Sequence, residues 1–195
     1  MNRGPAKSFS RERVLDVAMV AFWKRGYAAT SVADLLEATG LGAKSLYDTF
    51  GGKRELYLNC LDHYGATVLS EVFDRTVDGE APLARLRRVL EGLVRASPRG
   101  PARGCLLGVA AAELEDDVEL ARALKRHLNH IQNSLENVLA EMPLKADGPG
   151  ANELASMLMT LLQGVHLMSR VDGVGGHARR ATQAALALVE ARLEP

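Results

Sequence analysis

Apolar residues recur three and four positions apart along almost the whole chain, and no sustained run alternates apolar with polar. That is the period of helices packed on a shared core. Val14, Ala18 and Phe22, flanked by Leu15, form one face of a first helix over residues 10–25, with Ser10 as N-cap and Gly26 as the stop. A second helix fits 31–39, capped by Thr30 or Ser31 with Asp34 near its positive end, and Gly40 breaks it. A third fits 43–50 and ends at Gly51-Gly52; a long fourth runs over 53–74. Pro82 suits the first turn of a fifth helix reaching about residue 96. A loop at 97–101 precedes a short apolar helix over 102–114. Residues 116–142 form a long helix with Leu124, Leu128, Ile131, Leu135, Val138 and Met142 at alternating four-three spacing, ended by Pro143 and Gly148-Pro149-Gly150. Residues 152–171 repeat that spacing through Leu154, Leu158, Leu161, Val165 and Met168. Gly173, Gly175 and Gly176 precede a last, alanine-rich helix over 177–193. The pattern predicts an all-α protein of about nine helices, with neither βαβ alternation nor a Gly-rich phosphate loop.

Composition narrows this little, because 24 basic residues balance 24 acidic ones. Their distribution says more. Residues 1–54 carry nine Lys/Arg against five Asp/Glu, whereas 55–195 carry fifteen against nineteen, so an anionic partner is expected at the N-terminal end alone. Two cysteines, Cys60 and Cys105, exclude a disulfide scaffold and a Cys-rich zinc site. Charges at Arg11, Glu12, Arg13 and Asp16 interrupt any signal-peptide core, and the apolar stretch 154–168 is too short to span a bilayer. A cytoplasmic protein without a membrane partner is expected.

Three short helices with a glycine at the second turn are the arrangement of a helix-turn-helix. Phe22, Val32, Leu35, Leu36, Leu41, Leu46 and Phe50 are the expected tripod core, leaving Ala43, Lys44, Ser45, Tyr47, Asp48 and Thr49 outward. Small side chains at the start of the third helix let it enter a major groove, where Lys44 and Ser45 are placed to read base edges.

The run GYAATSVADLLEATGLGAKSLYDTFGGKRELYL, residues 26–58, resembles the DNA-binding signature of TetR-type transcriptional regulators. The shared features are Gly-Tyr before Thr30-Ser31, a Val-Ala-Asp start to the second helix, Ala38-x-Gly40, Leu46-Tyr47-x-x-Phe50 and Lys53-x-x-Leu56. Gly104-Cys105-Leu106-Leu107 before Ala111-Ala112-Glu113-Leu114 resembles the ligand-binding half of one large branch. The resemblance implies a helix-turn-helix DNA-binding domain at 1–52 and a ligand-binding and dimerisation domain at 53–195. It implies phosphate contacts from Thr30, Ser31, Tyr47, Thr49 and Lys53, and base contacts from Ala43, Lys44 and Ser45. Asp48 departs from the family pattern: a carboxylate there repels phosphate unless Arg54 or a cytosine amine neutralises it.

One such domain contacts few base pairs, so a dimer on a palindromic DNA operator is expected. The resemblance places that homodimer on the last two helices, where Ala181, Ala184, Ala185 and Leu188 make a small-residue face. It also implies a small-molecule effector in a cavity among the middle helices, with His63, Tyr64, Thr67, His127, His130, Gln163 and His166 as candidate liners. Cys105, near a helix start with Arg99 and Arg103 close in sequence, has surroundings that lower a thiol pKa; some relatives with a cysteine at this place respond to electrophiles or oxidants. The alternative for Cys105 is a small buried residue. His127-x-x-His130 has metal-binding spacing but no evident third ligand, so neither metal nor cofactor is expected. The acidic run Glu113, Glu115, Asp116, Asp117 and Glu119 is explained by the start of a long helix. The reading is a one-component regulator, a repressor released by its effector. Two alternatives stand beside it: a helical ligand-binding dimer without DNA function, and an all-α enzyme, which lacks a recognisable nucleophile–base constellation.

Overall fold

A computed structural model describes residues 10–75, 77–95, 104–113, 116–172 and 175–194. Among the described residues there are nine helices and no strand: α1 (Arg11–Arg25), α2 (Val32–Thr39), α3 (Ala43–Phe50), α4 (Lys53–Tyr64, continued through Gly65–Leu69 and Ser70–Phe73), α5 (Pro82–Arg95), α6 (Leu106–Ala112), α7 (Val118–Ala140), α8 (Ala151–Asp172) and α9 (Gly176–Glu190). The loop expected at 97–101 and the start of the helix expected from 102 lie outside the described residues, as do Leu114 and Glu115.

Local chemistry sets the boundaries of the first three helices. Ser10 accepts from the Arg13 N–H and opens α1. Ser31 and Asp34 form a reciprocal capping box at the start of α2, and Gly40 closes it in the left-handed conformation, φ 70°. Phe22, Leu35 and Leu46 are completely buried where α1, α2 and α3 meet, each contributing about 1.5–3 kcal/mol of apolar burial. Leu41 and Phe50 join this core, while Val32 and Leu36 are only half-buried at its edge.

α4 is the spine of the molecule, touching α1 and α3 on one side and α6 and α7 on the other. The sequence predicts it as a plain helix, but residues 65–69 form a single π turn. Gly65 stands there because His127 of α7 packs against its Cα; a Cβ would lie 2.6 Å from His127 Cε1. α7 and α8 pack along each other, and α9 closes against α8 and α5. The last helix stops at Glu190, three residues short of expectation. Residues 191–194 turn back, Lys145 N–H donating to Arg192 C=O at 2.9 Å and Glu194 N–H to Pro143 C=O at 2.8 Å. No described helix is long and apolar enough to cross a membrane.

Candidate nucleic-acid interface and effector cavity

α3 buries Leu46 and Phe50 and leaves Ala43, Lys44, Tyr47 and Asp48 exposed along its opposite face, at the one-and-four spacing of a single helical stripe. Ser45 and Thr49 flank the stripe, half-buried. Lys44 Nζ lies 2.7 Å from Asp48 Oδ2, one turn away, and their side chains are 87% and 61% exposed. The cation that neutralises Asp48 is therefore Lys44. Arg54, the expected candidate, is drawn to the other side, where it forks onto both oxygens of Asp117 at 2.9 Å and reaches Glu119 at 2.8 Å.

Among the flanking residues, Thr30 departs from expectation. Thr30 is completely buried and its hydroxyl donates to Gly26 C=O at 2.6 Å, so in this structure it offers nothing to a phosphate. The Ser31 hydroxyl is exposed but donates to Asp34 Oδ2 at 2.6 Å and accepts from the Asp34 N–H. At the start of α2 the Asp34 amide is taken by Ser31, while the Val32 and Ala33 amides, by the geometry of a helix start, have no intrahelical acceptor. The hydrogen bonds from Ser31, followed by the Arg25 guanidinium at 2.7 Å, hold the Asp34 carboxyl down from 3.8 to about 2. The Tyr47 ring is 54% exposed and lies against Gly52. Lys53 is half-buried, its ammonium 4.2 Å from the centre of the Tyr27 ring. Tyr27 packs on Tyr57 and Phe22, joining the α3–α4 corner to the core.

A cavity of about 510 Å³ lies between α6, α7 and α8 and reaches the end of α1. Its walls are mainly apolar, including Leu107, Val109, Leu128 and Leu167; Cys105, Gln163, His166, Arg170, Arg25 and Glu113 bring the polar atoms. Cys105 Sγ stands 3.6 Å from the Tyr64 hydroxyl. Burial raises the thiol's pKa, but His166 beside it, assisted by the Gly108 backbone and Tyr64, more than offsets this, and the thiol lies below its ordinary range. Burial lowers His166 in turn, and attraction to Cys105 together with the Leu93 carbonyl, 2.9 Å from Nε2, brings it above its usual value. His166 Nδ1 is buried without a hydrogen-bond partner. Arg99 and Arg103, expected to act on this thiol, lie outside the described residues. Burial alone drives Cys60 well above the normal thiol range.

Of the expected liners, Cys105, Gln163 and His166 line this cavity, and Tyr64 stands behind Cys105. His63, Thr67, His127 and His130 do not, because each is engaged elsewhere. His63 Nε2 lies 2.7 Å from Asp16 on α1, Thr67 donates to His63 C=O, His127 Nε2 lies 3.0 Å from Asp62, and His130 sits edge-on to Phe73. No group of three or more metal-ligating side chains converges among the described residues. Within the acidic run, Asp117 caps α7 by accepting from Glu119 and Leu120 N–H, as expected. Glu113 does something the sequence does not announce: its carboxylate accepts from the Tyr27 and Ala28 N–H groups at 2.7 and 3.1 Å. On α8 and α9, Leu167, Met168, Val171 and Leu188 are exposed, while Ala185, expected on the same face, is buried inside the chain.

Comparison with known proteins follows the same lines. The family model described as "Bacterial regulatory proteins, tetR family" matches residues 14–60, and "Tetracyclin repressor-like, C-terminal domain" matches residues 82–185. The HTH-type transcriptional repressor ComR of Escherichia coli (strain K12) is 30% identical over 176 residues, covering 87% of this chain and 83% of that protein. A cysteine-substituted form of the TetR family regulator CifR, solved with 26-bp double-strand operator DNA, is 28% identical, with TM-score 0.72 and coverage of 96% and 97%. A TetR family regulator from Cytophaga hutchinsonii shares the fold at TM-score 0.80 and 19% identity, over 97% of this chain and all of that one.

Proposed function

The chain belongs to the TetR family of bacterial transcriptional regulators, and we propose that it acts as a dimeric, one-component repressor that leaves its operator when an effector fills the α6–α7–α8 cavity. The observation that carries this reading is the α3 stripe. Lys44 and Asp48 stand free of the core on an eight-residue helix whose other face is fully packed. In a major groove, Lys44 favours guanine acceptors and Asp48 accepts from a cytosine amine, with Ala43 and Ser45 leaving room for close approach. Tyr47, Thr49 and Lys53 flank the stripe as phosphate contacts, and the α2 first turn adds backbone amides beside Ser31.

The head is residues 1–52 and the body 53–195 in this reading. Exposed Leu167, Met168, Val171 and Leu188 on the last two helices supply the contact for a second copy, which α3 needs if two half-sites are to be read. The effector is an apolar molecule that places a polar group near His166 Nδ1, Gln163 and Cys105. An electrophile entering the cavity meets the Cys105 thiol, lowered toward its reactive form by His166. The coupling is thermodynamic: the effector must favour a head arrangement that fits DNA poorly. Phosphate repulsion by Asp48 would favour the ligand-binding rival without DNA function, and its pairing with Lys44 offsets that repulsion.

Titration of an operator duplex selected from a random library, at rising salt, tests the proposal. An operator binder loses about three orders of magnitude or more between 50 and 200 mM salt. Weak binding with a flat salt response, from a folded dimer, would favour the rival.

A further inference from the structure

The cavity wall is also where the body holds the head. We propose that Glu113 is a positioning residue for operator recognition, its carboxylate fixing the α1–α2 turn, and with it α2 and α3, to the end of α6. The inference rests on the operator-binding reading above.

Glu113 Oε2 accepts from the Tyr27 N–H at 2.7 Å and Oε1 from the Ala28 N–H at 3.1 Å, across 86 and 85 residues of sequence. The turn is shaped around this carboxylate. Gly26 adopts φ 84° and ψ 173°, and a Cβ on it would stand 2.6 Å from Glu113 Oε1. At the other end of the same segment, Gly104 C=O accepts from Trp23 Nε1–H at 3.2 Å in a buried setting. Gly104 in turn presses on α8, where a Cβ would meet the His166 carbonyl at 2.8 Å. The segment 104–113 thus holds α1 at one end, through Trp23, and the turn after α1 at the other, through Tyr27 and Ala28, while Cys105, Gly108 and Glu113 along it face the cavity.

Both acceptor atoms bind backbone amides, and an amide cannot swing away as a side chain can. The contact therefore fixes the direction of the chain as it leaves α1. Tyr27, held by its N–H, packs at a tilt on Tyr57 with ring centres 5.0 Å apart and carries the Lys53 ammonium. Arg25, also on the cavity wall, binds Asp34 in the first turn of α2 at 2.7 Å. Any displacement of α6 by an occupant reaches the head through Glu113 and through Trp23.

The test uses the full-length protein with Glu113→Ala and Glu113→Gln, following amide hydrogen exchange at Tyr27 and Ala28 and binding to the selected operator. In Glu113→Ala the two amides should exchange about tenfold faster or more, and operator affinity should fall by about the same factor. Glu113→Gln keeps one acceptor oxygen but turns an NH2 donor toward the other amide, so it should protect at most one of the two amides and restore only part of the operator affinity. Ala18, inside α1, should stay protected in every variant, showing that the head remains folded. Unchanged exchange at Tyr27 and Ala28 in Glu113→Ala would overturn the proposal. So would accelerated exchange with undiminished operator affinity, which would leave a structural contact without a positioning role. Wild-type protein that binds no duplex would fail the repressor reading itself, and the exchange rates would then report on the Glu113 contact independently.

Discussion

Replacing Gly26 by alanine separates backbone strain from the Glu113 contact. At φ 84° and ψ 173° the residue occupies a region that L side chains avoid, at a cost of about 1–3 kcal/mol. The new Cβ would also lie 2.6 and 2.7 Å from the two carboxylate oxygens of Glu113, so the carboxylate must move and release the Tyr27 and Ala28 amides. For a half-exposed pair of charged hydrogen bonds this adds about 1–2 kcal/mol, and the expected destabilisation is about 2–5 kcal/mol. Gly40→Ala is the control: Gly40 has φ 70° with nothing within 4 Å of its would-be Cβ, so only the left-handed cost of about 1–2 kcal/mol applies. Urea denaturation of Gly26→Ala, Glu113→Ala and the double variant closes the cycle. In the Glu113→Ala background the cost of Gly26→Ala should shrink to the strain alone, a coupling of about 1–2 kcal/mol. If Gly26→Ala costs the same in both backgrounds, the carboxylate does not shape the turn and the reasoning fails.

Other consequences follow from the same geometry. Lys44→Ala should change which base is preferred at one position of each half-site, whereas Lys53→Ala should weaken all duplexes alike and flatten the salt slope by about 0.9 per protomer, about 1.8 for the dimer, both read from binding isotherms on point-substituted operators. Asp48→Asn frees Lys44 from its ion pair, so non-specific DNA affinity should rise and discrimination fall; unaltered specificity would place Asp48 outside the interface. Asp34 titrates near 2 in the folded head against 3.8 unperturbed, so its contribution to stability is present above about 4 and lost as pH falls through 2. The stability gap between wild type and Asp34→Asn should therefore close on acidification through that window, as followed by denaturant titration. Native alkylation followed by peptide mass mapping should modify Cys105 and spare Cys60, and His166→Ala should slow the Cys105 reaction at neutral pH; equal labelling of both thiols would contradict the site.

Much of the architecture was legible because its signals are local. Ser10, Gly26, the Ser31–Asp34 pair and Gly40 lie within a turn of the boundaries they set, and the four-three spacing declares the buried faces of α7 and most of α8, although Met168, last of the α8 set, is exposed. The α3 stripe follows from the same periodicity, since Leu46 and Phe50 fix which way the helix faces. What stayed hidden depends on residues distant in sequence. Glu113 read as one member of an acidic run because its acceptor role is defined by amides 85 and 86 positions away. Arg54 read as a partner for Asp48 six residues earlier, but Asp117, 63 residues on, offers it a two-pronged contact. Thr30 matched a motif whose hydroxyl faces outward, yet here the hydroxyl closes the loop onto Gly26. Polar residues on apolar helical faces were the weakest guide: His63 and His127 fit that description, but carboxylates on α1 and α4 claim them.

On the reading proposed above, α3 of this chain reads DNA as one of a symmetric pair. Selection of duplexes from a random library by the purified, reduced protein tests it most directly. The expected result is enrichment of a palindrome with half-sites about one helical turn apart, and loss or change of its base preference with Lys44→Ala. A folded dimer that enriches nothing, or a motif indifferent to Lys44 and Asp48, would contradict it.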